Sequence, residues 1–539
     1  MTKTSPTALP PVPGSQPGPG PGPATQTTIF RRLLLGIGSS GLGQLIGASQ
    51  AILLVPLFLH SWGSNGYGQW IALTAMISYL GLLDLGGQSY LGNLLTIDYA
   101  KDDLKGFTKK LSEGVSFFSF LSAGVVILLA ALLFGLPLAT GQALENMLPG
   151  HNNAWAILAL AGSVLLAIPA GVYVTTYRAT GLFARGMMVG NLLRFVELVF
   201  YIAMLVLKVP AEAYAAGLLA AAVFRTFFII LDSRRHIPVS REIKINLGLA
   251  WQGRTYLKGS LQFWILALAT TLNQQAVLII ITAVINPLAV VTYATHRTAA
   301  GIIGYISSFV QAPLAPELSV LWARQRRKDL QEAVLLSVKF VLLASLLAGL
   351  FLWVSLPVIY PFWTGKTLNF DPLLLGIFIF QMVLASAWST LGWPLLATNN
   401  QKAPAFWTTA NALLTIILAV ILAPGFGVLG VACATLLGDI ICGFAVYPAL
   451  CARILSLPLR TIYQAIFAVC IAVLPLFLVI ICGGALAGNP LTFAVLLALS
   501  LAWCLPGLRL ALGPTGLSSL RRVFNLARFS RKAGSVNKS

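Results

Sequence analysis

Four bases and three acids stand inside stretches too apolar for water, and any chemistry this chain performs has to start from them. The bases are Arg194, Arg225, Arg297 and Lys339; the acids are Asp84, Glu197 and Asp439. An ionised side chain at the middle of a membrane helix costs about 2.5 to 3.5 kcal/mol on insertion scales, so it is kept where it meets a partner or a wet cavity. A guanidinium in such a place suits a phosphate, because its planar fork offers parallel N–H donors that an ammonium lacks. Arg297, beside His296, lies roughly nine residues from the nearer end of its stretch, a rise of about 13 Å that leaves it far from either surface. It is the first candidate for an anion contact. Arg194 and Glu197, three apart, share a helix face and offset one another's charge, either as a structural pair or as part of a charged crevice. Arg225 and Lys339 sit within about six residues of an end, a rise of roughly 9 Å, so each either lines a cavity or sends its head to the surface.

Asp84 and Asp439 are placed to pair with a base or to take up a proton or cation. The run Asn273-Gln274-Gln275 has more amide groups than one contact between helices needs, and amides match sugar hydroxyls. Isolated neutral polar residues such as Gln381 and Asn411 read as hydrogen-bonding links between helices or as part of the same path.

Catalytic machinery is not legible. The sequence has no HExxH, no Walker loop and no paired-cysteine metal site, and His60, His151, His236 and His296 are scattered. The reading is of a protein that is not an enzyme and uses neither cofactor nor metal. Six cysteines fall in the last quarter, mostly within apolar runs, and read as small core residues.

The elements that hold these side chains follow from composition. Hydrophobic residues make up 58% of the 539 and charged ones 9%, whereas soluble domains carry roughly a quarter charged residues. A bilayer-crossing helix needs about 20 mostly apolar residues, since it alone pairs its backbone groups internally in hydrocarbon. Counting such runs predicts an all-α integral membrane protein of about fourteen transmembrane helices. Residues 1–29 form a Pro/Gly-rich disordered tail; 30–231 an N-lobe of six spans; 232–259 a basic linker; 260–450 a C-lobe of six spans; 451–512 two further spans; and 513–539 a basic tail. Arg31 and Arg32 ahead of an apolar run read as the flank of an uncleaved first helix rather than a signal peptide.

Net charge of +20 in a soluble protein would suggest nucleic acid, but here the bases fall between apolar runs and set orientation instead. With both termini in the cytoplasm, all Lys and Arg except Lys208, Lys366 and the four intramembrane bases lie on the cytoplasmic side of short loops. The expected location is the inner, or plasma, membrane. The linker, with bases from Arg234 to Lys258 and apolar Ile243, Ile245, Leu247 and Leu249, reads as a basic loop resting on anionic lipid, with spacing that permits an interfacial helix. The halves are faintly alike at an offset of 226 positions, where Tyr67 matches Tyr293, Asp103 matches Asp329 and Leu104 matches Leu330, as in transporters built from repeats.

The first pair of spans, PLFLHSWGSNGYGQWIALTAMISYLGLLDLGGQSYLGN, and the stretch ATNNQKAPAFW…LAPGFGVLGVACATLLGD resemble the polysaccharide exporter, or O-antigen (Wzx-type) flippase, family of the multidrug/oligosaccharidyl-lipid/polysaccharide (MOP) flippase superfamily. The resemblance covers most of residues 30–512. It implies a MATE/MOP-like fold of two pseudo-symmetric six-helix lobes plus two C-terminal helices, rocking between access to either side. It implies a polyprenyl-diphosphate-linked oligosaccharide as substrate, with membrane lipids and polysaccharide-assembly proteins as partners and no nucleic acid. The diphosphate would lie in a cationic cavity supplied here by Arg297, Arg194 and Arg225, with Asn273, Gln274 and Gln275 toward the sugars and Asp84, Glu197 and Asp439 for coupling or ion pairing. Span one carries no charge between Leu33 and Leu59, whereas lipid II flippases show bases there, which weighs against lipid II. A cation-coupled multidrug antiporter of the same fold is the other alternative.

Overall fold

A computed structural model describes residues 26–135, 154–323, 325–397 and 402–485, together with Trp503, Pro506 and Arg509. Every secondary-structure element among the described residues is helical. Ten helical stretches are long and apolar enough to cross a membrane, and side chains such as Phe227, Phe351, Phe362 and Ile421 stand more than half exposed on their outer surfaces. So much exposed apolar surface marks contact with lipid rather than water.

The first helix, α1 (Gln26–Ser78), is two helices joined at Gly63, whose φ of 69° only glycine adopts without strain. On a straight helix Phe58 and Trp70 would be about 18 Å apart, yet their rings lie 6.4 Å apart, and Phe58 stacks on Tyr67 at 5.0 Å. The chain therefore turns back at Gly63, and the first two predicted spans form a hairpin. Its second arm does not run unbroken to Tyr90 as the sequence suggests. It tightens into a 3-10 turn over Tyr79–Asp84 and stops at Leu85 and Gly86, both left-handed, before α2 (Gly87–Ala100) resumes.

The N-terminal half continues with α3 (Leu104–Ala130), α4 (Ala154–Ala179), α5 (Phe183–Val206) and α6 (Ala211–His236). Asp103 caps α3 by accepting the Gly106 N–H at 2.9 Å. After α6 comes the short α7 (Leu247–Gly253), and then α8 (Leu257–Thr271), a π-helical turn over Leu272–Ala276, and α9 (Val277–Val284) make one continuous pass. The C-terminal half is completed by α10 (Pro287–Ala323), α11 (Arg327–Trp363), α12 (Pro372–Ala397), α13 (Lys402–Ile440), a π turn over Ile441–Val446, α14 (Tyr447–Leu455) and α15 (Leu459–Ala485). Like α1, α13 folds back at a left-handed glycine, Gly427, which brings Asn411 of its first arm against Asp439 of its second.

Predicted spans one to thirteen each lie on these helices. Of the fourteenth only Trp503, Pro506 and Arg509 are described, all helical, and the Trp503 indole donates to the Ala472 carbonyl of α15 at 3.2 Å. Both predicted tails and the predicted external loop at residues 139–153 fall wholly or mostly outside the described residues.

The halves meet along α1 and α10, where a Cβ on Gly41 would stand 2.9 Å from the Phe309 ring, and at two further seams. At the end opposite the basic loops, Phe58, Tyr67, Trp70 and Tyr214 share one buried cluster with Val291, Tyr360 and Leu368 of the other half. There the Trp363 indole donates to the Ile52 carbonyl at 2.7 Å, and a Cβ on Gly68 would overlap the Pro287 carbonyl. Toward the basic loops, the Trp264 indole donates to Leu82 O at 2.9 Å. The broken backbone at Gly86 lies so close to α8 that a Cβ would stand 2.6 Å from Ser260 O. Leu82 O thus accepts both the Leu85 N–H, at 3.0 Å, and the Trp264 indole of α8.

Candidate functional site

Between these two seams lies a cavity of about 450 Å³, within the usual range for small-molecule sites. One wall is α10, which presents Ala294, Arg297, Thr298, Gly301, Ile302 and Tyr305. Their spacing of three and four is one helix face. The π turn adds Gln274 and Gln275, α9 adds Leu278 and α12 adds Met382. The N-terminal half closes the cavity with Ala48, Ala51 and Ile52 of α1. The walls differ in kind: every charged or amide side chain lining the cavity belongs to the C-terminal half, and the facing wall is small and apolar.

Arg297 is half-buried and donates from Nη1 to the Gln274 backbone carbonyl at 3.1 Å. That carbonyl belongs to the π turn, and such turns recur at functional sites. A guanidinium carries five N–H donors, so this bond orients the head and leaves donors for a ligand. Among the described residues Arg297 is the single charged group on the cavity wall. Its neighbour His296 faces away: fully buried, it accepts the Asp371 N–H on Nε2 at 3.1 Å, with Nδ1 2.8 Å from Thr292 O. With Nε2 accepting, the ring is neutral and its proton sits on Nδ1. The Tyr360 hydroxyl lies 3.2 Å from the same ring nitrogen and 2.8 Å from Thr295 Oγ1. His296 thus fastens the loop before α12 to α10.

Behind the cavity, Asp439 is buried and accepts from Gln381 Nε2 at 2.7 Å and Asn411 Nδ2 at 3.2 Å. Thr435 Oγ1 lies 3.4 Å from Gln381 Oε1. Asn411 Oδ1 and Thr415 Oγ1 are buried beside this group without a hydrogen-bond partner among the described residues. Arg297 is near enough for its charge to act on Asp439. Gln381 and Asn411, read from sequence as links between helices or path residues, hold this carboxylate.

The other expected residues are placed elsewhere. Arg225 pairs with Glu197 across α6 and α5 at 3.3 Å. Glu197 is therefore tied chiefly to Arg225 from the next helix and less to Arg194 on its own. Arg194 is exposed on a flank of α5 shared with exposed Leu192, Phe195 and Val199, and neither it nor Arg225 lines the cavity. Asn273 is half-buried in the π turn, off the lining. Asp84 ends the 3-10 turn, where its Oδ1 accepts the Gln88 N–H at 3.2 Å and helps restart the helix past the break. Sequence reasoning missed Thr298 and Tyr305. The signal was present in the repeat of three and four from Ala294 onward, but threonine and tyrosine are too common in helices for it to stand out.

No family model and no curated protein matches the sequence. Solved structures do match in fold. "Lipid II flippase MurJ, inward closed conformation" aligns with a TM-score of 0.57 at 15% identity, covering 89% of this chain and 97% of that one. A MATE structure in complex with MaL6 aligns with 0.55 at 15% identity, covering 80% and 97%. An inward-facing multidrug resistance MATE family transporter of the MOP superfamily aligns with 0.54 at 16% identity, covering 79% and 94%. These neighbours are transporters and flippases rather than enzymes, and the chain shares their fold.

Proposed function

We propose that the protein is a flippase that moves a polyprenyl-diphosphate-linked oligosaccharide from the cytoplasmic to the external leaflet for assembly of a surface polysaccharide. The observation that carries this reading is a cavity between the halves whose single charge among the described residues is Arg297 and whose other polar groups include the amides Gln274 and Gln275. A diphosphate and its sugars cannot cross about 30 Å of hydrocarbon alone, whereas the prenyl tail dissolves in it. The protein need shelter only the head. Arg297 offsets the desolvation of the phosphate, and the amides take the first sugar. The basic loops face the cytoplasm in this reading, so the contacts that close the opposite end make the present state closed to the outside.

Both seams are joined in this structure, and transport requires the lobes to part at each of them in turn. Both seams combine apolar packing with a single indole-to-carbonyl bond between halves, Trp363 to Ile52 and Trp264 to Leu82, which keeps each of them reversible. Asp439, with the unpaired Asn411 and Thr415 oxygens beside it, is the favoured place for a coupling proton or cation; Asp84 and Glu197 are engaged in helix restart and ion pairing. Arg194 and Arg225 can serve the head group only in a state that brings them toward the crevice.

A multidrug antiporter would present an acid to a cationic drug, and this cavity presents a base. Lipid II, carried by one neighbour of this fold, shares the polyprenyl diphosphate and differs in its sugars. Proteoliposomes separate these readings: head-group accessibility of fluorescent undecaprenyl-diphosphate oligosaccharide, the same measured for lipid II, and efflux of a cationic dye, all with one preparation. Movement of the oligosaccharide lipid alone supports the proposal. Dye efflux without lipid movement refutes it.

A further inference from the structure

The connection between the halves carries a second surface that transport does not use. One side of α7 is fixed to α3: Ala250 and Gly253 are buried, and a Cβ on Gly253 would stand 2.6 Å from Glu113 O and 2.7 Å from Phe117 Cβ. Ser116 Oγ lies 3.2 Å from Lys244 O, and Tyr256 hydrogen-bonds Glu113. The opposite side is bare. Ile245, Leu247 and Trp251 are 52%, 71% and 66% exposed, and the Arg254 guanidinium stacks over the Trp251 ring at 3.5 Å. Lys244 and Lys258 are exposed on either side.

Charge decides what covers this face. Between residues 232 and 259 the acids are Asp232 and Glu242, and Asp232 is already bound by Arg185 at 2.6 Å. The segment is therefore strongly cationic where it is most apolar. It also runs directly into α8, the start of a membrane-crossing pass, which sets it at the level where hydrocarbon gives way to head groups. Aromatic and aliphatic side chains beside bases at that depth are the chemistry of an interfacial helix. We infer that this face docks on anionic phospholipid of the surrounding bilayer, Leu247 and Trp251 entering the acyl boundary and Lys244, Arg254 and Lys258 meeting head-group phosphates. Because α7 is fixed to one half and continues into the other, the lipid sits at the joint between them.

The test uses the full chain in nanodiscs of phosphatidylcholine containing equal fractions of chain-brominated phosphatidylglycerol or chain-brominated phosphatidylcholine. The emission difference between wild type and Trp251→Phe isolates Trp251. That difference is expected to be quenched severalfold more by the anionic lipid, following a gain of roughly fivefold per base near an anionic surface. The variant carrying Lys244→Gln, Arg254→Gln and Lys258→Gln, all at exposed positions, is expected to remove the preference without changing the elution profile. Trp251 unquenched by either lipid overturns the inference in favour of water or a soluble partner on this face. Equal quenching by both lipids in the wild type, or a preference that survives in the triple variant, overturns the assignment to anionic head groups.

Discussion

Replacing Arg297 by alanine tests the site where the reasoning is most exposed. In the cavity the guanidinium spends one donor on the Gln274 carbonyl at 3.1 Å and has a further pair free for a phosphate. A hydrogen bond to a charged group is worth about 1.5 to 3 kcal/mol, and half-burial of Arg297 argues for the lower end. Two such bonds give about 3 kcal/mol, which at 1.4 kcal/mol per decade is roughly a hundredfold in affinity for the diphosphate head. Losing the bond to Gln274 costs only about 1 kcal/mol of stability, so Arg297→Ala is expected to fold. Arg297→Lys keeps the charge and loses the fork, so its deficit is expected near tenfold. The assay is the initial rate of head-group translocation in proteoliposomes at glycolipid concentrations below saturation, normalised to protein that elutes as monodisperse. Wild-type rates in Arg297→Ala would refute the anion site. Equal deficits in the lysine and alanine variants would show that bidentate geometry plays no part.

Asp439→Asn keeps one acceptor toward Gln381 or Asn411 and cannot ionise; it is expected to make translocation insensitive to an imposed proton or sodium gradient, measured in the same vesicles. Trp363→Phe removes the bond to Ile52, worth about 0.5 to 1.5 kcal/mol, and is expected to raise labelling of a cysteine placed at Ala51 by a membrane-impermeant thiol reagent roughly two- to tenfold. Glu197→Ala strands the half-buried Arg225 and is expected to lower thermal stability by about 1 to 3 kcal/mol, less than for a fully buried pair. Adding Arg225→Ala is expected to restore most of that loss, read from the melting temperature in detergent.

The fold was legible because one physical rule dominates it. Backbone groups in hydrocarbon have to be paired, so apolar runs had to be helices, and thirteen of the predicted spans fall on them. The cavity was partly legible for a related reason. Arg297 and the amide run at Asn273-Gln274-Gln275 are expensive in lipid and announce themselves, and Arg297, Gln274 and Gln275 line it. The small wall opposite did not announce itself, since Ala48 and Ala51 look like any tightly packed helix. Nor did the breaks. Leu85-Gly86 reads as a continuous apolar run, and the left-handed pair becomes intelligible only once Ser260 and Trp264 are seen pressed against it. Arg194 and Glu197 show the limit of spacing arguments: three apart permits a pair, but Arg225 from the neighbouring helix is the closer partner.

The unequal walls of the cavity bear on how a cycle would be driven. If the head group binds Arg297 and the amides, it is held by the C-terminal half and merely covered by Ala48, Ala51 and Ile52. Swinging a two-state equilibrium from one part in a hundred to ninety-nine requires about 5.5 kcal/mol of differential binding. The Arg297 contact supplies about 3 kcal/mol, and only if it is lost in one state, so substrate binding alone falls short of resetting the lobes. If the basic loops lie inside, as proposed, an inside-negative potential favours outward movement of a dianionic head by about 4 to 5 kcal/mol per 100 mV, enough to make up the difference. The return of the empty protein has no anion to carry, and Arg297 is then a bare positive charge in a closing crevice. In the proposed cycle Asp439, buried with Gln381 and Asn411 on its carboxylate, would supply the compensating charge at that step, and a proton or cation bound there would set when the crevice can close again.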